Sequence, residues 1–399
     1  MIGCLVVGCL FAAGLFAAEP DGAVLYGDGA HDDTAAIQSR LDSGVSCVYL
    51  PPPKVRYLIS KPLRIHSDQE LRLDRFTVVR LAPKSDCAMV KNDGIESGNV
   101  RVALTGGIWD MDNVNQSPNP IQTGKLYAAG RKSTDNDAFD DGRFAGVGMR
   151  FRRVRGLTIR GVTVRNPSNF SVQLMSVTDF TVDDVTFDFT TWNPIPLNMD
   201  GIHVDGGCHR GRITNLKGTT FDDLVALNAD ECQNTGPISD IEIDGIFADS
   251  CHSAVRMLST GSPVERVTIR NVFSDFYVYA VCCSHHFSGM PRGTFRDIVV
   301  ENVFTGKCYA PEKLGRDSRV GYPLFWVEND VDVDSLTLRN IVRVERNITV
   351  PTIRVDPRAK VRKLVVRDCR QENRTGRPLK FLDVLGEVGT LIDENNDQL

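Results

Sequence analysis

The sequence predicts an all-β chain wound as a right-handed single-stranded parallel β-helix, closed at its N-terminal end by a short capping helix. Two observations carry that prediction. The first is one strand phrase that recurs along the body: Leu157-Thr158-Ile159-Arg160-Gly161, Phe180-Thr181-Val182-Asp183-Asp184, Ile241-Glu242-Ile243-Asp244-Gly245 and Val267-Thr268-Ile269-Arg270-Asn271. It continues as Ile298-Val299-Val300-Glu301-Asn302, Leu336-Thr337-Leu338-Arg339-Asn340 and Leu364-Val365-Val366-Arg367-Asp368, with a weaker copy at Gly211-Arg212-Ile213-Thr214-Asn215. Copies lie roughly 23 to 38 residues apart, the range of stacked repeats. The second is the form of each copy: a short apolar alternation that stops at Gly, Asn or Asp, residues that tolerate positive φ at a corner. Helical repeats would show a period of 3.6, leucine-rich repeats a denser leucine ladder, and a β-propeller four strands in a longer repeat.

In chain order, residues 1–18 carry no charge and are almost wholly apolar, ending in Phe16-Ala17-Ala18 before Glu19-Pro20. They read as a secretory signal peptide cleaved after Ala18, which makes residues 19–399 one β-helical domain, secreted or periplasmic. Asp33 or Thr34 then caps a short amphipathic helix that ends near Leu41. Cys47-Val48-Tyr49-Leu50 reads as a strand stopped by Pro51-Pro52. Tyr57-Leu58-Ile59-Ser60, Leu71-Arg72-Leu73 and Val100-Arg101-Val102-Ala103-Leu104 alternate in the same way. Residues 113 to 143 are polar and aperiodic, a long insertion of the kind that flanks a binding cleft.

Composition excludes several function classes. The 399 residues carry a net charge of -5, which gives no general attraction for nucleic acid or an anionic membrane. After the leader no segment is apolar for long enough to cross a bilayer. Phosphate-binding loops, Gly-Xaa-Ser-Xaa-Gly elbows and His-Glu-Xaa-Xaa-His motifs are absent from the sequence. Of the 11 cysteines, Cys4 and Cys9 leave with the leader. The odd number left is scattered, without zinc-type pairing, and reads as small core residues in a monomer. Trp109 and Trp192 read first as core.

The chemistry concentrates at Asn198-Met199-Asp200-Gly201-Ile202-His203-Val204 and, one repeat later, Phe221-Asp222-Asp223-Leu224-Val225-Ala226-Leu227. If the two strands stack as neighbours, three carboxylates gather, an arrangement that raises each one's pKa and has no structural use. Glycoside hydrolysis needs one protonated and one ionised carboxyl across the scissile bond. Aligning the alternations puts Ile202/Val204, Val225/Leu227 and Val255/Met257 inward. His203, Ala226 and Arg256 then form an outward row, with Asp205, Asn228 and Leu258 one step along. Strict alternation would turn Asp200 and Asp223 inward, so they are expected on the corner before each strand, where parity breaks.

These features resemble a known family. Gly27-Asp28-Gly29 with Asp32-Asp33-Thr34-Ala35-Ala36-Ile37-Gln38, Leu50-Pro51-Pro52, and Gly106-Gly107-Ile108-Trp109-Asp110 resemble the pectin-lyase-like β-helix superfamily. Asn198-Met199-Asp200-Gly201 and Asp222-Asp223 resemble the signatures of polygalacturonases, glycoside hydrolase family 28. The resemblance implies Asp222 as general acid, Asp200 and Asp223 as holders of the attacking water, and His252 as a histidine that tunes the acid. The family's Gly-His-Gly is here Cys251-His252-Ser253. Its Arg-Ile-Lys, which binds the substrate carboxylate, has no Arg or Lys counterpart among Tyr277-Val278-Tyr279-Ala280-Val281-Cys282-Cys283-Ser284-His285-His286. Arg256, outward beside His252, is therefore the expected anion contact, and His203, Asn228 and His285 complete the expected substrate-binding set. The expected substrate is an acidic polysaccharide, with no cofactor and no metal. Two rivals share the fold: a Ca²⁺-dependent polysaccharide lyase, and a carbohydrate-binding β-helix without turnover.

Overall fold

The computed structural model of the chain describes residues 24–118, 146–196, 198–231, 234–314 and 318–399. The leader and residues 119–143 of the expected insertion lie outside them, as does Cys232. Among the described residues all strands join one sheet by parallel pairing, each coil laying its strands on those of the next. This is a right-handed parallel β-helix, as the repeats predict. Among the described residues no helix is long and apolar enough to cross a membrane.

The recurring phrases explain how the coils turn. Their terminal residues Gly161, Asp184, Asn215, Gly245, Asn271, Asn302, Asn340 and Asp368 all have positive φ. Strand register stacks them into one corner column, since the residue before each pairs with its counterpart on the next coil. Asparagine suits this column twice over: it tolerates the left-handed backbone, and its amide bonds the coil beneath. Asn340 Nδ2 donates to Asn302 Oδ1 at 2.8 Å and Asn302 Nδ2 to Asn271 Oδ1 at 3.3 Å.

Inward residues of every coil form a single continuous core from Ile37 to Phe381. The helix Thr34–Leu41 closes its N-terminal end with Ile37 and Leu41. Asp33 occupies the N-cap position but makes no side-chain cap bond. Its carboxylate instead accepts the backbone N–H groups of Tyr26, Gly27 and Leu58, tying the first residues to the first coil. Asp32 Oδ1, one residue earlier, takes the Thr34 N–H at 2.9 Å. Trp109 is fully buried, its indole N–H on the Gly106 carbonyl, and Trp192 packs against the core edge-on to Phe221. The eight described cysteines are unbridged, and Cys208, Cys251, Cys282, Cys283 and Cys369 are buried, the core role expected of them.

Candidate active site

One column of strands carries the candidate residues: Val172–Met175, Ile202–Asp205, Asp223–Asn228, Cys251–Leu258 and the end of Val264–Ser284. Its register is the one the alternation predicts. Ile202, Val225 and Val255 are aligned, then His203, Ala226 and Arg256, then Val204, Leu227 and Met257, then Asp205, Asn228 and Leu258.

The alternation does break, but inside the strands rather than on the corner before them, and Asp223 is the first residue of its strand. Leu224 and Val225 are both core residues, as are Ala254 and Val255, and Ala280 and Val281. Two successive inward side chains reset the alternation, so Asp223, Ser253 and Tyr279, aligned across three coils, face away from the core. Gly201, immediately after Asp200, lets the strands meet closely: a Cβ there would lie 2.4 Å from the Leu224 carbonyl oxygen and 2.8 Å from the Phe187 ring. Gly201→Ala must shift the backbone next to Asp200 or the Leu224 strand it meets. We expect it to destabilise the fold by about 1–3 kcal/mol and to lower kcat, checked by thermal melting and initial rates.

Asp222 and Asp223 converge on His252, and Asp200 lies near enough for both their charges to act on it. Oxygens of Asp222 and Asp223 and a ring nitrogen of His252 all lie within 4.8 Å of one another. Burial raises the Asp200 carboxyl well above the ordinary carboxylate range; the His203 hydrogen bond opposes this, while Asp222 and Asp223 add to it. Burial also raises Asp223, and the Asp222 charge raises it further, against Arg256 and His252. Asp222 is raised by burial and drawn back by Arg319, Arg256 and the Asn198 N–H.

Their partners differ, and the difference separates their roles. Asp222 accepts one backbone bond, from Asn198 N–H at 3.1 Å, at a residue whose φ of 54° turns that N–H toward it. His252 Nε2 stands 3.6 Å from its Oδ1. Asp223 accepts Ser253 Oγ–H and, at 3.1 Å, Tyr279 Oη–H, and Arg256 Nη1 lies 3.7 Å away. Asp200 is 2.7 Å from His203 Nδ1. Donors favour the ionised carboxylate, and Asp223, with Ser253, Tyr279 and Arg256 around it, has the most of the three. Asp222 is also the most accessible of the three, at 13% side-chain exposure against 4% for Asp200 and 1% for Asp223.

Several expected substrate contacts are engaged elsewhere. His203 is buried, stacked on Phe170 and set between two carboxylates, with Nε2 3.2 Å from Asp205. It orients Asp200 rather than facing a ligand. Asn228 is buried and donates to Glu231. His285 places Nε2 on the Pro291 carbonyl at 2.9 Å and gives its N–H to Glu328, which fixes its own loop. Arg256 lies between Asp223 and Glu231, with Nη1 3.8 Å from the latter, so two carboxylates of the chain already share its charge. Its Nη2 has no hydrogen-bond partner among the described residues.

Four residues escaped the sequence reading. Glu231 follows the strand Asp223–Asn228, in an Asp230-Glu231 pair whose acidity was the available signal. Tyr279 is reachable only through strand register. Arg319 lies in the aperiodic loop between the strands Gly293–Lys307 and Phe325–Val327, yet its charge is the strongest that acts on Asp222. Lys313 of that loop sits 5.3 Å from the ring centre of Phe221, the residue before Asp222. His286 is exposed to solvent, and partial loss of water around its ring, with the Arg256 charge, lowers its affinity for a proton.

The cluster does not suit a hard divalent cation. Ca²⁺ takes about six to eight oxygen ligands, whereas here an imidazole and a guanidinium stand against the same carboxylates.

A family model, Glycosyl hydrolases family 28, matches residues 121–273, the segment that holds all three aspartates. No curated protein matches the chain. Solved structures share the fold. The surface adhesin PfbA of Streptococcus pneumoniae is 14% identical with a TM-score of 0.63, over 95% of this chain and 90% of that one. The family 28 exopolygalacturonase of Yersinia enterocolitica is 15% identical with a TM-score of 0.61, over 94% and 76%. The polygalacturonase of Erwinia carotovora ssp. carotovora is 15% identical with a TM-score of 0.55, over 89% and 94%. The chain is thus a glycoside-hydrolase-like β-helix.

Proposed function

We propose that the chain is an exported glycoside hydrolase that cleaves α-galacturonosyl-type linkages in an acidic polysaccharide, with inversion. The observation that supports this best is the unequal set of partners around three neighbouring carboxyls. Asp222, the most accessible of the three and bonded only by a backbone N–H, keeps a proton and gives it to the leaving oxygen. Asp223, whose ionised form Ser253, Tyr279 and Arg256 favour, takes the proton of the water that it and Asp200 orient on the opposite face of the sugar. His252, beside both Asp222 and Asp223, offers a cation when protonated and returns Asp222 to its acid state. No cofactor or metal enters this chemistry.

Arg319, whose charge acts on Asp222 from the neighbouring loop, joins Arg256 as a candidate for the substrate's anion. A reducing-end assay across pectic and sulfated glycans, with products read by mass spectrometry, tests the reading. New reducing ends on an acidic glycan, unaffected by chelator, are expected. An unsaturated, ultraviolet-absorbing product that disappears with chelator would mark a lyase. Binding without new ends would mark a carbohydrate-binding protein.

A further inference from the structure

The strand Val264–Ser284 is irregular where it passes the aspartates. Its Phe276 pairs with Cys251, but Tyr279 pairs with Ser253, so three steps on one strand match two on the other. One extra residue, within Tyr277-Val278, makes a bulge, the device that re-aims side chains beside many active sites. A bulge leaves carbonyls without their ladder partners, and here one buried side chain takes them. Lys307, 3% exposed and paired with Phe276 on the next coil, directs Nζ to the carbonyl oxygens of Tyr277 at 3.3 Å and Val278 at 2.5 Å. It also bonds the Tyr322 carbonyl, at 3.1 Å, in the loop that carries Arg319. Three carbonyls give the ammonium an acceptor for each of its protons, which helps a buried lysine to be tolerated there.

We infer that Tyr279 is a positioning residue for Asp223, and that Lys307 holds it in place by filling the bulge beneath it. This rests on the hydrolase reading for its kinetic consequence, though not for its electrostatic one. Tyr279 Oη donates to Asp223 Oδ1, and Tyr277 stands edge-on to His252 at 5.2 Å. Burial and then the Asp223 charge push the Tyr279 phenol well above its ordinary value, so it remains a donor at any working pH.

The groups that act on Asp223 come from every neighbouring element. Asp222 and Asp200 oppose its ionisation from the corners before their strands. Arg256, His252 and Ser253 favour it from the strand Cys251–Leu258, with Glu231 balancing Arg256 from the far side. Cys282, buried, adds no charge as a thiol. Most of these charges reach Asp222 as well. The Tyr279 bond goes to Asp223, so it lowers that residue's proton affinity relative to its neighbour and helps to separate base from acid.

Tyr279→Phe removes only the hydroxyl. It should raise the proton affinity of Asp223 by about one pH unit, the scale of one hydrogen bond to a charged group. The acidic limb of kcat/KM should move to higher pH by that amount, with kcat roughly tenfold lower at the acidic end and KM within about twofold. Carboxyl-¹³C titration of aspartate-labelled protein, with Asp223→Asn to assign the signal, reads the same shift without any turnover. Lys307→Met, where it folds, should reproduce the shift, and the double variant should add nothing further. An unmoved Asp223 titration in Tyr279→Phe would overturn the inference, even if rates fell evenly at all pH values. An unmoved titration in folded Lys307→Met would overturn the part assigned to Lys307. If Lys307→Met does not fold, Tyr279→Phe decides alone. A protein with no glycan turnover that still shows the titration shift would refute the hydrolase reading and leave this inference standing.

Discussion

Asp222→Asn should lose activity by roughly 10²- to 10⁴-fold, the usual contribution of a general acid, while the protein folds and binds its glycan as before. The amide has the shape of the carboxyl and keeps an acceptor for the Asn198 N–H, but it has no proton to give at working pH. Stability should not fall. Burial holds the Asp222 pKa above its unfolded value, so ionisation of this group favours the unfolded chain as pH rises through the folded pKa. An asparagine escapes that cost, and its melting temperature at neutral pH should equal or exceed that of the wild type. Substrates with activated leaving groups, which need little protonation, should recover much of the lost rate. Thermal melting together with rates on good and poor leaving groups checks all three statements. A variant that melts early, or loses the same factor on both substrates, would point to a structural role for Asp222.

The second large effect concerns Arg256, and it appears in stability before it appears in recognition. Its guanidinium stands 3.7 Å from Asp223 and 3.8 Å from Glu231, both buried. Removing one partner of a buried ion pair leaves charge uncompensated, a loss of about 3–5 kcal/mol. Arg256→Met keeps most of the volume and isolates that term. The pH dependence has a definite sign. Burial and Asp222 raise the Asp223 pKa, and loss of the cation raises it further. Stability from such a group is present at low pH and lost as pH rises through the folded value. The melting gap between wild type and variant should therefore be widest at neutral pH and narrow as the solution is acidified. A gap that stays constant from acid to neutral pH would mean that Arg256 contributes packing rather than charge.

Much of the fold was legible because the constraint on each coil is local. A corner that needs positive φ selects Gly, Asn or Asp, and Gly161, Asp184 and Asn271 announce it one after another. The alternation fixes which residues face inward, and that in turn fixed the row of His203, Ala226 and Arg256. Asp200, Asp222 and Asp223 were legible for the same reason, as acidic residues at the starts of strands one coil apart. What surrounds them was not. Whether Arg256 meets a substrate or Glu231 depends on the path of the chain after Asn228, which no periodicity records. Tyr279 bonds Asp223 only because a bulge adds one residue to the strand, and the bulge depends on Lys307 from the following coil. Arg319 reaches Asp222 from a loop with no repeat at all.

The central claim is direct displacement by water at these carboxyls, and the configuration of the first-formed product tests it most directly. Proton NMR during the first minutes of cleavage of an α-linked oligogalacturonide should show the new reducing end as the β-anomer, with the α-anomer growing in only by mutarotation. An α-anomer formed first would mean a covalent intermediate, and an unsaturated end would mean elimination; either result would contradict the account.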